Sequence, residues 1–144
     1  MLKTIEQSVR FSASARELYD LYIDPKKNAE FTGGGKVKIS PKAGSAFSAF
    51  DGMLEGTTLL AVPGRMIVQR WKSCMWKAGD LDSTLVITFH DQGKHGRIDL
   101  VHVNVPTHDH AGVTQGWKKY YWQPLAAWLK KRGKAEQARL KVKG

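Results

Sequence analysis

Cysteine is almost missing from this chain. Cys74 is the only one in 144 residues, so no internal disulfide can form and no CxxC pair exists for thiol exchange or metal binding. Long apolar runs are missing as well. No stretch approaches the roughly 18 consecutive apolar residues of a membrane-spanning helix, and the opening MLKTIEQSVRF lacks the unbroken apolar core of a secretory signal. A reducing cytoplasm is the location these absences imply. No GxSxG, Walker A, HExxH or dinucleotide glycine motif stands where it would have structural meaning, which removes the commonest hydrolase, nucleotide and zinc-protease chemistries. Acidic residues are also scarce, with 13 Asp and Glu against 23 Lys and Arg for a net charge of +10.

What is present describes one soluble domain. Five Trp, five Phe and four Tyr carry enough apolar area to offset the entropy of ordering a chain this long. The charge is unevenly placed. Residues 129–144 carry seven basic side chains, Lys130, Lys131, Arg132, Lys134, Arg139, Lys141 and Lys143, against Glu136 alone. The body is therefore only mildly basic, and the expected organisation is a single domain over 1–132 followed by a basic polar tail over 133–144. Nucleic acid is not an expected partner, because its binding needs basic groups interleaved with exposed aromatics on one face. An anionic membrane surface is a partner that the tail alone would serve.

Residues 3–11 alternate as a half-buried strand, with Ile5, Gln7, Val9 and Phe11 on one face. Ser14 and Glu17 have the spacing of a capping box, in which the serine oxygen accepts from the Glu17 amide and the glutamate reaches back. A short helix burying Leu18, Leu21 and Tyr22 follows. Asp24-Pro25 ends it and starts a second, which runs to about Phe31 and stops at Gly33-Gly34-Gly35. From Lys36 to Val105 short alternating runs broken by turns predict an antiparallel meander of about six further strands. Asp51-Gly52 forms a hairpin turn whose two central residues both take positive φ, and Pro63-Gly64 makes the next reversal.

The last element, Thr114 to about Arg132, is strongly apolar. On a helical wheel Tyr121, Leu125 and Trp128 lie within about 80° of Trp117, with Tyr120 and Ala127 on one flank and Trp122 and Leu129 on the other. Such a helix belongs in the concave face of a curved sheet. Pro124 inside it removes one intrahelical donor and predicts a kink. Strand, two short helices, antiparallel meander and long C-terminal helix make an α+β helix-grip arrangement, with space for a ligand between helix and sheet.

FTGGG (31–35), DGMLEG (51–56), PGRMIVQRW (63–71), WKAGDLDSTLVITF (76–89) and TQGWKKYY (114–121) stand in the order found in the activator of heat-shock protein 90 ATPase family. The chain resembles that family's C-terminal-type domain, within the START or SRPBCC superfamily, over nearly its whole length. The resemblance implies a START/Bet v-like helix-grip fold for residues 1–132 and a non-enzymatic domain acting by protein contact or by binding a small hydrophobic ligand. It also implies a chaperone of the heat-shock protein 90 class as partner. Nothing in the sequence corresponds to the N-terminal domain through which the eukaryotic co-chaperones of this family grip the chaperone. The alternative is a polyketide-cyclase-like enzyme using the same cavity.

Phe31, Phe50, Trp71, Trp117 and Tyr121 are the expected lining of that cavity, with Trp76 at its mouth. Aromatic rings are the surfaces an apolar guest needs, although the same rings serve equally as core packing. His102 and Asn104 share a face with Ile98 and Leu100. If that face looks inward, His102 is the titratable group able to exchange a proton with a guest, as distinct from a hydrogen-bonded core histidine. Asp99 lies on the opposite face of a regular strand and could not partner it there without a bulge. His108-Asp109-His110 has metal-ligand residue types but reads as a surface loop. No metal, catalytic group or cofactor is expected. Monomer and homodimer both remain open, since Trp122 and Leu129 can pack internally or across an interface.

Overall fold

The computed structural model describes the backbone of residues 2–143 and the side chains of residues 2–137. β1 (Leu2–Phe11) leads into α1 (Ala15–Ile23) and α2 (Pro25–Thr32), and β2 (Ala46–Ala49), β3 (Leu54–Val62), β4 (Met66–Ser73), β5 (Ser83–Gln92) and β6 (His95–Pro106) follow. A 3-10 turn (Thr107–Asp109), α3 (His110–Trp117), a π-helical segment (Lys118–Trp122) and α4 (Gln123–Lys143) complete the chain. The six strands form one antiparallel sheet in the order β1-β6-β5-β4-β3-β2. Five strands therefore follow β1, not six, because residues 36–45 contribute only the isolated bridge Lys38 to Ser48.

Local chemistry fixes the short helices. The Glu17 amide donates to Ser14 Oγ at 3.1 Å, while the Glu17 carboxylate, expected to reach back, instead receives the Arg132 guanidinium of α4. Asp24 caps both neighbours. Its amide closes α1 on the Asp20 carbonyl, and its carboxylate accepts from the Lys26 and Lys27 amides at 3.0 Å each. Gly33, at φ 63°, ends α2.

The sheet's inner face carries Ile67, Gln69 and Trp71 from β4, Ser83, Leu85, Ile87 and Phe89 from β5, and Ile98, Leu100 and His102 from β6. The alternation on β6 breaks at Asn104. Lys3 pairs with Val105 but Ile5 pairs with His102, so β6 holds one extra residue, with Asn104 at φ 63°. This bulge turns Asn104 outward and Val105 inward, so Asn104 does not share the His102 face.

The terminal helix packs against this face through Val113, Trp117, Tyr121, Trp122, Leu125 and Leu129. Where a proline kink was expected, the backbone widens into the π segment, and the Gln123 amide bonds the Lys118 carbonyl five residues back. Pro124 has no amide to offer and its ring crowds the turn before it, which the wider turn accommodates. The wider turn also brings the residues four and five places after Trp117 onto its side. Tyr121 and Trp122 are both buried, whereas Tyr120 is 49% exposed and Trp128 only half-buried. Trp122 and Leu129 thus pack within the chain, the former stacking on Trp117 at 5.5 Å. No described helix is long and apolar enough to cross a membrane.

Candidate functional site

A cavity of about 290 Å³ lies between the helical rod and the β2–β4 end of the sheet. Phe50, Met53 and Leu54 from the β2–β3 hairpin form one wall, and Trp71 and Ser73 on β4 form the floor. The helical side supplies Asp109, Gly112, Val113, Gly116, Trp117, Tyr120 and Tyr121. Alternation on β4 aims Trp71 inward beside Ile67 and Gln69, and helical spacing aims Val113, Trp117 and Tyr121 at it. Trp71 and Trp117 stand 6.1 Å apart between ring centroids, Trp117 and Tyr121 4.7 Å.

Phe50 closes this cluster edge-on, 5.7 Å from the rings of both Tyr120 and Tyr121. Positive φ extends over Phe50 (52°), Asp51 (56°) and Gly52 (89°), so the turn begins one residue earlier than the Asp-Gly pair implies. A bulky residue in the left-handed region is strained. Its ring lies over Gly34, where a Cβ would come within 2.3 Å of two ring carbons. The middle glycine of FTGGG thus provides room for Phe50, a role separate from stopping α2.

Four of the seven expected ligand contacts, Phe50, Trp71, Trp117 and Tyr121, come together in the lining. Phe31 sits behind it, 6.4 Å from the Tyr121 ring. Trp76 packs on the outer side of Trp71 at 5.6 Å and donates its indole N–H to Asp109 Oδ2 at 2.8 Å. His102 lies beneath Trp71 and Trp117, fully buried and outside the lining.

Both nitrogens of His102 are engaged. Trp117 Nε1 donates to Nδ1 at 3.1 Å, which makes Nδ1 an acceptor and places the ring proton on Nε2. Nε2–H then faces Ser83 Oγ at 2.7 Å, and Ser83 donates onward to the Trp71 carbonyl at 2.6 Å. Burial pushes the His102 pKa down to about 3, so the ring is neutral at physiological pH. Ser83 and His102 resemble a nucleophile and base by residue type, but the serine proton is committed to a backbone carbonyl. Burial likewise raises the Tyr121 phenol and the Tyr22 phenol, which donates to Gln69 Oε1 at 2.8 Å.

Met53, Leu54, Ser73, Asp109, Gly112, Val113, Gly116 and Tyr120 escaped the sequence reading. A signal was there: Gly112 and Gly116 occur four apart just before Trp117, in a segment of helical spacing where each costs about 1 kcal/mol relative to alanine. At Gly112 a Cβ would come within 2.3 Å of Asp109 Oδ1, so a larger residue there would make the Asp109 carboxylate shift. At Gly116 a Cβ would meet only Tyr120 Cδ2, at an ordinary 3.8 Å. His108, Asp109 and His110 diverge to Asp80, Trp76 and the Thr4 carbonyl respectively. No cluster of three or more metal-ligating side chains occurs among the described residues, and Cys74 is exposed.

Comparison with known proteins agrees with this architecture. The family model described as "Activator of Hsp90 ATPase homolog 1-like protein" matches residues 12–130. A Dictyostelium discoideum protein named activator of 90 kDa heat shock protein ATPase homolog is 28% identical over 118 residues, 81% of this chain and 30% of its own length. An uncharacterized Schizosaccharomyces pombe protein is 26% identical over 84% of this chain and 35% of its own. The chain thus spans about a third of these curated relatives. Among solved structures, an HSP90 activator from Plasmodium falciparum superposes with a TM-score of 0.79 at 21% identity, covering 88% of this chain and 96% of that one. CalU16 from Micromonospora echinospora gives 0.75 at 19% identity, covering 98% and 85%.

Proposed function

We propose, from the premise that this chain belongs to the Activator of Hsp90 ATPase homolog 1-like protein family, that it is a non-enzymatic cytoplasmic domain. Its cavity under the C-terminal helix holds a small hydrophobic ligand. The observation that carries this reading is Gly116. A lining residue in a helix interior is glycine although an alanine Cβ would fit without a clash. Helix propensity alone would favour the larger residue by about 1 kcal/mol, so the empty volume is retained at a cost to stability. Phe50, Trp71 and Trp117 give the guest flat apolar walls.

The cyclase-like alternative has less support. It needs a proton carrier facing the guest, and both His102 nitrogens are occupied beneath the cavity floor. Contact with a chaperone of the heat-shock protein 90 class is the second reading. Its support is the Plasmodium falciparum chain, which bears the name HSP90 activator and is 96% covered by this single domain. In that reading the basic tail over 133–144 contributes a salt-sensitive share of affinity.

Melting curves separate the two readings. A panel of small aromatic compounds raises the melting temperature if the cavity is a ligand site, since a ligand at 100 times its Kd adds about 2.7 kcal/mol. Purified chaperone binding that weakens with salt and on removal of the tail supports the second reading. Failure of the entire panel contradicts the first.

A further inference from the structure

We propose that β1, the open edge of the sheet, is a self-association surface. Two copies join β1 to β1, antiparallel about a two-fold axis at Ser8, so that each Glu6 stands opposite Arg10 of the second copy. The surface lies at the far end of the sheet from the cavity and does not depend on what the cavity holds. The two edges of the sheet differ. β2 is four residues long, and its outer side is taken by Lys38, whose amide and carbonyl exchange bonds of 2.9 and 2.8 Å with Ser48. β1 runs for ten residues without proline or glycine. Among the described residues, its backbone hydrogen bonds to other backbone go only to β6. Its bulge lies at the Lys3 end, where the His110 ring also approaches the Thr4 carbonyl, and pairing is regular from Ile5 to Phe11. A long regular edge is a template for another strand, which natural sheets usually shorten, kink or cover.

The charges on this strand select its partner. Of the 13 Asp and Glu side chains, all but Glu6 accept a hydrogen bond or ion pair among the described residues. Its cross-strand neighbour on β6 is Val101, which offers it nothing. Arg10 has the reverse difficulty. It stands opposite Arg97, a like charge across the ladder, and its own hydrogen bond goes to the neutral Gln92 Oε1 at 3.2 Å. The nearest carboxylate on that face, Asp99, is held by Arg97 at 3.0 Å. Glu6, Ser8 and Arg10 are all exposed on the outer face. A two-fold axis normal to the sheet keeps inner and outer faces matched, so opposed residue numbers add to an even number. With the axis at Ser8, both ends of the pairing bring Glu6 to Arg10, and Ile5 meets Phe11 on the inner face. Moving the axis to Gln7 or Val9 leaves Glu6 and Arg10 opposite uncharged residues. Seven residues a side is small against a standard interface of about 1,600 Å², and two cationic chains repel. The dimer is therefore expected at micromolar concentrations and above.

Sedimentation equilibrium of the full chain, from micromolar to millimolar concentration, tests this. The unaltered chain is expected to show a monomer–dimer equilibrium. Glu6→Arg opposes cation to cation at both ends of the pairing, and Arg10→Glu opposes anion to anion. Each is expected to weaken the dimer about ten-fold or more. A net-charge effect alone would move the two variants in opposite directions, because the first substitution raises the net charge and the second lowers it. An equimolar mixture of the two variants restores opposite charges at both ends, and is expected to dimerise at least as tightly as the unaltered chain. Both side chains are exposed, so the variants keep the fold. A chain that stays monomeric throughout the range overturns the proposal. A dimer that both variants leave unchanged overturns it too, by placing the contact on another surface. A mixture that associates no better than either variant alone overturns the pairing of Glu6 with Arg10.

Discussion

Trp117 on α3 donates its indole N–H to His102 Nδ1 on β6 across 3.1 Å, tying the helical rod to the sheet beneath the cavity. The bond requires an unprotonated Nδ1, so it joins helix docking to the titration of one buried ring.

Stability therefore depends on pH through His102. Its pKa falls from the ordinary 6.5 to about 3 on folding, so below pH 6.5 the unfolded chain takes up a proton that the folded chain refuses. The stabilisation is complete above pH 6.5 and is lost as pH falls toward 3, with a slope of at most about 1.4 kcal/mol per pH unit from this group. Urea unfolding of the unaltered chain and of His102→Phe should show the variant less stable at pH 7, with the gap narrowing as pH falls. Parallel pH profiles would refute this account of the ring.

Gly116→Ala is expected to stabilise the fold by about 1 kcal/mol, because the helix gains propensity and the added methyl meets only ordinary contact. The urea midpoint checks it. A loss of stability would mean that the space beside Gly116 is already needed by the packed chain.

Gly34→Ala is expected to destabilise by about 1–3 kcal/mol, since the new methyl overlaps the Phe50 ring. Gly33→Asn, one position earlier, is expected to cost a few tenths of a kcal/mol. Position 33 has a left-handed φ that asparagine tolerates, and open space for the side chain. Equal effects in denaturation curves would separate Phe50 from the glycine beside it.

The contrast between these glycines shows where sequence reasoning works. Local, periodic signals are legible: the alternation of Ile5, Gln7, Val9 and Phe11, the Ser14 cap, the double use of Asp24, and the inward Trp117–Tyr121 stripe. Features that depend on what arrives from elsewhere in the chain are not. Pro124 marks a disturbed helix, but proline alone does not say whether the turn bends or widens. Asn104 tolerates positive φ, yet only its pairing with β1 turns it outward. Phe50 gives no sign that Gly34 lies under its ring. The candidate site was half legible for the same reason. Its large rings stand out by type, whereas Gly112 and Gly116 matter for the volume they leave.

Removing residues 133–144 is expected to change stability by no more than about 0.5 kcal/mol. Arg132, which holds the Glu17 carboxylate of α1 from α4, remains in the shortened chain. Arg132→Ala, in contrast, should cost about 0.5–1 kcal/mol, less at high salt because both side chains are partly exposed. Thermal unfolding at two ionic strengths checks both.

The central claim is that the volume beside Gly116 is a binding site for a small apolar molecule. The most direct measurement is calorimetric titration of the unaltered chain and of Gly116→Leu with methyl naphthyl ketone. One-to-one saturable binding should be lost in the variant, while the variant's melting temperature stays equal or rises. Undiminished binding to a stably folded Gly116→Leu would contradict the account.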